Sequence, residues 1–170
     1  KNFSTAEVPM LNIRSTQDLL LAMGSAVIRA EATTPDEYQS IVQGCLPDTH
    51  FVFDQAQYAT SDAILSLNWS VDENDIRSIL CLPWRLAAVT GRKIYVILEE
   101  FQNVTFLDNW EKFMKIFEEV VRTNQSGLCN FIFLGSAVNA MKYLFEERVY
   151  FHRYVSHVSI GGIDAREITD

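Results

Sequence analysis

The chain has 170 residues, 48% of them hydrophobic, which is enough for one core of ordinary size and reads as a single domain, 1–170. A formal net charge of −8 argues against a broad phosphate-binding surface, so no nucleic-acid partner is indicated. Cys45, Cys81 and Cys129 are widely spaced and odd in number, which argues against a disulfide framework and for a reducing, cytoplasmic setting.

In chain order, Val8 to Ile13 reads as a first strand. Ser15 and Asp18 can open a helix through about Ala30, with Leu19, Leu20, Met23, Ala26 and Val27 as its inner face. Thr34-Pro35-Asp36-Glu37 is a sharper start signal: a capping hydroxyl, a proline in the first turn and an acid at the reciprocal position. That helix should end near Leu46-Pro47. Thr49 to Trp69 fits a strand, a helix or a folded-back loop equally. Asp72 to Val89 is helical in pattern, and Pro83 is expected to kink it or split it.

The second half is clearer. Ile94 to Leu98 is continuously apolar, as in a strand buried on both faces of a parallel sheet. A helix follows with the stripe Trp110, Phe113, Met114, Phe117, Val120 and Val121, and Gly127 is expected to stop it. Asp108 and Glu111 suit a cap pair at its start. Phe131 to Leu134 reads as a second buried strand, and Gly135-Ser136 turns it into a helix striped by Ala137, Ala140, Met141, Leu144 and Phe145. His157 to Ile160 reads as a short third strand. Alternation of this kind predicts right-handed crossovers and a parallel sheet covered by helices.

Ligands of open parallel sheets gather at the carboxyl ends of the strands. Polar groups stand there at Glu99-Glu100, at Gly135-Ser136 and at Asn12 to Arg14. Paired carboxylates at a strand exit suit a nucleoside triphosphate: one holds the magnesium shell through water, and the other orients the attacking water. The plainer reading is that the strand has simply reached solvent. Gly135 and Ser136 also serve as a turn and a helix cap. For Arg148 and Arg153 the ordinary expectation is a solvated surface, and for the aromatic stripe it is the core. His50, His152 and His157 have no Cys or carboxylate at metal-ligand spacing and are assigned ordinary roles. No leader of secretory type is seen, and no apolar run approaches the ~20 residues of a membrane span, so no membrane partner is expected.

Taken together, ILEEFQNV, FIFLGSAVNAMKYLF and YFHRYVSHVSI resemble the archaeal-type ATPases of the AAA/STAND branch of P-loop NTPases, best over about residues 76–160. The resemblance implies an α/β three-layer sandwich, with a mostly parallel central sheet flanked by helices, P-loop NTPase-like but incomplete. It implies ATP and Mg2+ as cofactors of the intact parent. It places Glu99 at the magnesium-associated position of the Walker B element, Glu100 at the water-activating position and Ser136 as the sensor of the terminal phosphate. Arg153 falls where an arginine finger can stand. A protein partner or self-assembly would use the work of hydrolysis.

Two departures qualify this. Glu99 replaces the usual Asp, and no G-x-x-x-x-G-K-[ST] occurs in the 170 residues. The chain opens on Lys1 rather than Met, so the expectation is a piece of a longer protein whose phosphate loop lies upstream, inactive by itself. The alternative is a degenerate ATPase-like scaffold for protein interaction that binds no nucleotide. A nuclease-like reading fits less well, because Phe101 and Gln102 stand where such sites usually place a Lys two positions beyond the acid.

Overall fold

Three parallel strands form the main sheet of the computed structural model, which describes residues 2–61 and 63–158. In chain order the elements are β1 (Phe3–Pro9), α1 (Thr16–Glu31), α2 (Pro35–Cys45), β2 (Phe51–Phe53), α3 (Gln55–Ser61), β3 (Leu65–Leu67) and α4 (Glu73–Thr90). There follow β4 (Lys93–Glu99), a 3₁₀ turn (Phe101–Phe106), α5 (Trp110–Thr123), β5 (Cys129–Phe133), α6 (Val138–Lys142) and a π turn (Tyr143–Glu147). The sheet order is β1-β4-β5, with Val8 beside Leu98 and Leu98 beside Phe133.

The first strand lies earlier than the expected Val8 to Ile13. Its signal is the alternation of Ala6 and Val8, buried, with Thr5 and Glu7, exposed. All seven residues pair with β4, and Met10 closes the ladder by donating to the Glu99 carbonyl at 3.0 Å. Ile13 then donates back to Met10, so the second half of the expected strand is a turn. Pro9 is tolerated because β1 is an edge strand among the described residues.

Burial along the sheet is one-sided. Ala6, Val8, Ile94, Val96, Leu98 and Cys129 are buried, with Phe131 and Phe133 packed among them. On the other face Phe3, Glu7, Ile132 and Leu134 are exposed, while Tyr95 and Ile97 are half-buried. The fold is therefore α/β with helices packed on one face of a parallel sheet; the third layer of the expected sandwich is not seen among the described residues. Topology explains this. Both crossovers step in the same direction across the sheet, and connections of one hand then lie on the same face. Neither β4 nor β5 is buried on both faces as expected: each alternates, with its second face half-buried or exposed.

The expected helix starts hold where the signal is local. Ser15 Oγ accepts from the Asp18 N–H, and Thr34 and Glu37 form a reciprocal capping box. α4 runs unbroken through Pro83, which is buried in the core although it cannot donate to the preceding turn. Asp108 and Glu111 do not cap α5; Asn109 occupies that place with φ +52°, and Glu111 instead pairs with Arg148 at 2.7 Å. The helix ends at Thr123, and Gly127, φ +70°, belongs to the following turn.

Residues 49–69, ambiguous in sequence, form an antiparallel pair, β2 with β3, separated by α3. Tyr38, Phe53 and Tyr58 pack edge to face or tilted, with ring centroids 5.4–6.1 Å apart, and fix this flap to α2. His157 and Val158 lie in no strand, and the rest of the expected third strand falls outside the described residues.

Candidate functional site

β4 and β5 end together at one rim. Leu134 donates to the Leu98 carbonyl at 2.9 Å, and Phe101 donates back to the Leu134 carbonyl at 2.8 Å. Between them Glu100 takes the left-handed conformation, φ +54° and ψ +44°, which a residue with a side chain adopts at a cost of about 1 kcal/mol or more. This turn ends the strand and brings the Glu100 carboxylate to the Gly135-Ser136 corner.

There Ser136 Oγ donates to Glu100 Oε2 at 2.6 Å, and Gln102 Nε2 donates to the same oxygen at 2.5 Å. The Ser136 hydroxyl first, and the Gln102 amide second, hold the Glu100 carboxyl below its usual range, outweighing partial burial. At neutral pH it is ionised and acts only as an acceptor. Gln102 Oε1 is buried and finds no partner among the described residues. Gly135 is closely approached: a Cβ there would lie 2.6 Å from Gln102 Oε1 and press on the Met141 sulfur, so both flexible side chains would have to shift.

Glu99 has different surroundings. Strand alternation puts it on the uncovered face with Tyr95 and Ile97, half-buried, and no hydrogen bond to its carboxylate is found among the described residues. The structure thus joins Glu100 with Ser136 and leaves Glu99 beside them at the rim. Arg153 is not joined to them: it sits on an exposed turn with φ +71° and bonds to none of these side chains. Arg148 departs from the expected solvated role. It stacks over Trp110 and Tyr150, 5.2 and 5.5 Å from the ring centroids, and fixes the π turn to α5 through Glu111.

Sequence reasoning missed two features. Gln102 was legible only as a residue that follows the Glu99-Glu100 pair, and its grip on Glu100 needs the turn to form. His50 has no carboxylate at ligand spacing in sequence, yet the fold brings it to Asp72 and Asp75, with donor atoms of all three within 4.8 Å of one another. Asp75 is fully buried and accepts from the His50 N–H, the Asp72 N–H and the His50 ring, so this group is a helix cap tied to a loop. The V-D-E-N-D run carried its signal, an acid at the cap and another three residues later.

The oxygen donors Glu99 and Glu100 suit Mg2+, which takes one or two carboxylates alongside phosphate and water. Comparison with protein families, curated proteins and solved structures finds no match to this chain. No helix among the described residues is long and apolar enough to cross a membrane.

A titration tests the site directly. In carbon-13 spectra Glu100 is expected to titrate below the ordinary Glu value, and Ser136→Ala to raise it by removing the first donor. Because the folded pKa is depressed, this bond stabilises the fold at pH above the unfolded value and is lost as pH falls through the lowered one. An unshifted Glu100, or one indifferent to Ser136→Ala, contradicts the geometry.

Proposed function

We propose that this chain is the core of an ATP-binding and ATP-hydrolysing domain of the AAA/STAND branch, with its phosphate loop supplied by sequence outside these 170 residues. The observation that carries the reading is the 2.6 Å bond between Ser136 and Glu100, residues 36 apart in sequence, at the carboxyl ends of adjacent parallel strands. Such a rim is where phosphoryl-transfer sites form, and their chemistry rests on positioning rather than covalent steps.

In this reading Glu100, ionised and oriented by Gln102, accepts the proton of the attacking water. Ser136 turns its hydroxyl toward the terminal phosphate. Glu99, at the same rim, would help to hold Mg2+, and the metal, when bound, would neutralise phosphate charge. Arg153, on its exposed turn, would reach such a site across a subunit interface after assembly. Three free thiols, two buried and one half-buried, fit a reducing cytoplasm. The test is Mg2+-dependent ATP turnover by a longer polypeptide that carries the upstream loop; the expected result is turnover that requires Mg2+. Absence of both binding and turnover removes the ATPase reading.

The uncovered sheet face favours one second reading, a scaffold without nucleotide. Phe3, Ile132 and Leu134 are exposed on it, 47%, 39% and 43% respectively, as on an interaction surface. A ruined upstream loop with retained partner binding is the result that supports it.

A further inference from the structure

We propose that His50 is a pH-sensitive latch that fastens the β2–β3 flap to the first turn of α4. The flap runs from His50 to Asn68, and Asn68 closes it by donating to the His50 carbonyl at 3.0 Å. At its root His50 makes two bonds to one buried carboxylate: its N–H donates to Asp75 Oδ1 at 2.9 Å, and Nδ1 lies 2.8 Å from Asp75 Oδ2. Asn74 adds a bond from its side chain to the Asp48 carbonyl at 3.0 Å. Phe51, Ile64 and Leu65 anchor the flap in the core, and at the first turn of α4 its polar tie runs through a titratable ring.

Among the described residues the charged groups acting on this ring are Asp75, fully buried, and Asp72, whose Oδ2 lies 3.7 Å from Nδ1; both come from the start of α4. Two carboxylates and no cation favour the protonated imidazole. The hydrogen bond to Asp75 is the main cause and raises the His50 pKa, against a smaller opposing effect of burial. Asp75 shows the reciprocal effect. Its burial pushes its pKa up, but the bonds from His50 and Asp72 outweigh this and hold it low, so it stays ionised across the range in which His50 titrates.

The direction follows. A histidine with a raised folded pKa binds its proton more tightly when docked, so docking gains at pH below the ordinary ~6.5 and loses that gain as pH rises through the raised value. Neutral imidazole keeps one N–H, so the latch loosens rather than opens outright. Each unit of raised pKa corresponds to about tenfold in the opening equilibrium.

The experiment is amide hydrogen exchange on the 170-residue chain at about pH 5.5 and about pH 8, corrected for intrinsic exchange, with His50→Gln beside the wild type. The amides of Asp54 and Asn68, which bond across the flap, are expected to lose several-fold protection at the higher pH, while the β4 amides do not. In His50→Gln, which keeps a neutral donor, flap protection should be the same at both pH values. Equal wild-type protection at both, or an equal loss in the variant, overturns the latch. If His50→Gln does not fold, the wild-type His50 ring titrated by NMR decides: an apparent pKa at or below the ordinary value overturns it.

Discussion

Phe117→Ala is expected to lower the unfolding free energy by roughly 3–5 kcal/mol, the range for truncating a fully buried aromatic ring. Phe117 is wholly buried on α5, and its ring meets those of Phe113, Phe131, Phe133 and Phe151 at centroid distances of 5.8, 4.7, 5.9 and 5.0 Å. Four partners from three segments cannot collapse together into the vacated space, because Phe131 and Phe133 are fixed by β5 and its ladder to β4. The loss should appear in urea denaturation as a lower midpoint with an unchanged slope. Leu11→Ala, at a position 59% exposed, should change stability by no more than about 0.5 kcal/mol. A loss below about 1 kcal/mol for Phe117→Ala contradicts this description of the core.

The same core explains the geometry at the rim. α5 and the π turn press on the covered face of β5, where Phe133 also packs against Phe101 and Phe145. Phe101 directly follows Glu100. Its buried ring fixes the start of the 3₁₀ turn, so the left-handed Glu100 is held by packing and by the bond from its neighbour's N–H to Leu134. The candidate site is thus built on two rigid strand ends.

What the sequence made legible is what local chemistry decides. The Thr34 to Glu37 box, the Ser15 cap, the α5 stripe and the β4 run were all readable, because each signal lies within a few residues of its effect. The misreadings share a different cause. Val8 to Ile13 looked like a strand through its apolar residues, but the alternation that pairs with β4 starts at Phe3. Asp108 and Glu111 matched a cap pattern, yet Arg148, far along the chain, attracts Glu111 away. Burial of β4 and β5 on both faces was inferred from composition, whereas it depends on strand order, which no single strand encodes.

The site follows the same division. Glu99 and Glu100 are equivalent in sequence as adjacent acids, and only the strand's alternation and the left-handed turn separate their surroundings. The meeting of Glu100 and Ser136 was expected from the order of strands and from family resemblance. The Gln102 bond and the His50 to Asp75 tie, 25 residues apart, had to be seen in three dimensions.

The most direct measurement of the functional account is the ATP turnover of Glu100→Gln, made in a polypeptide that includes an upstream phosphate loop. Glutamine keeps the size of the side chain and an acceptor oxygen for Ser136 but cannot take a proton from water. The account predicts that Mg2+–ATP binding persists while turnover falls by roughly 10²–10⁴-fold, the contribution of a positioned general base. Turnover within about twofold of wild type, with binding intact, would contradict the role of Glu100 and with it the hydrolytic reading of this rim.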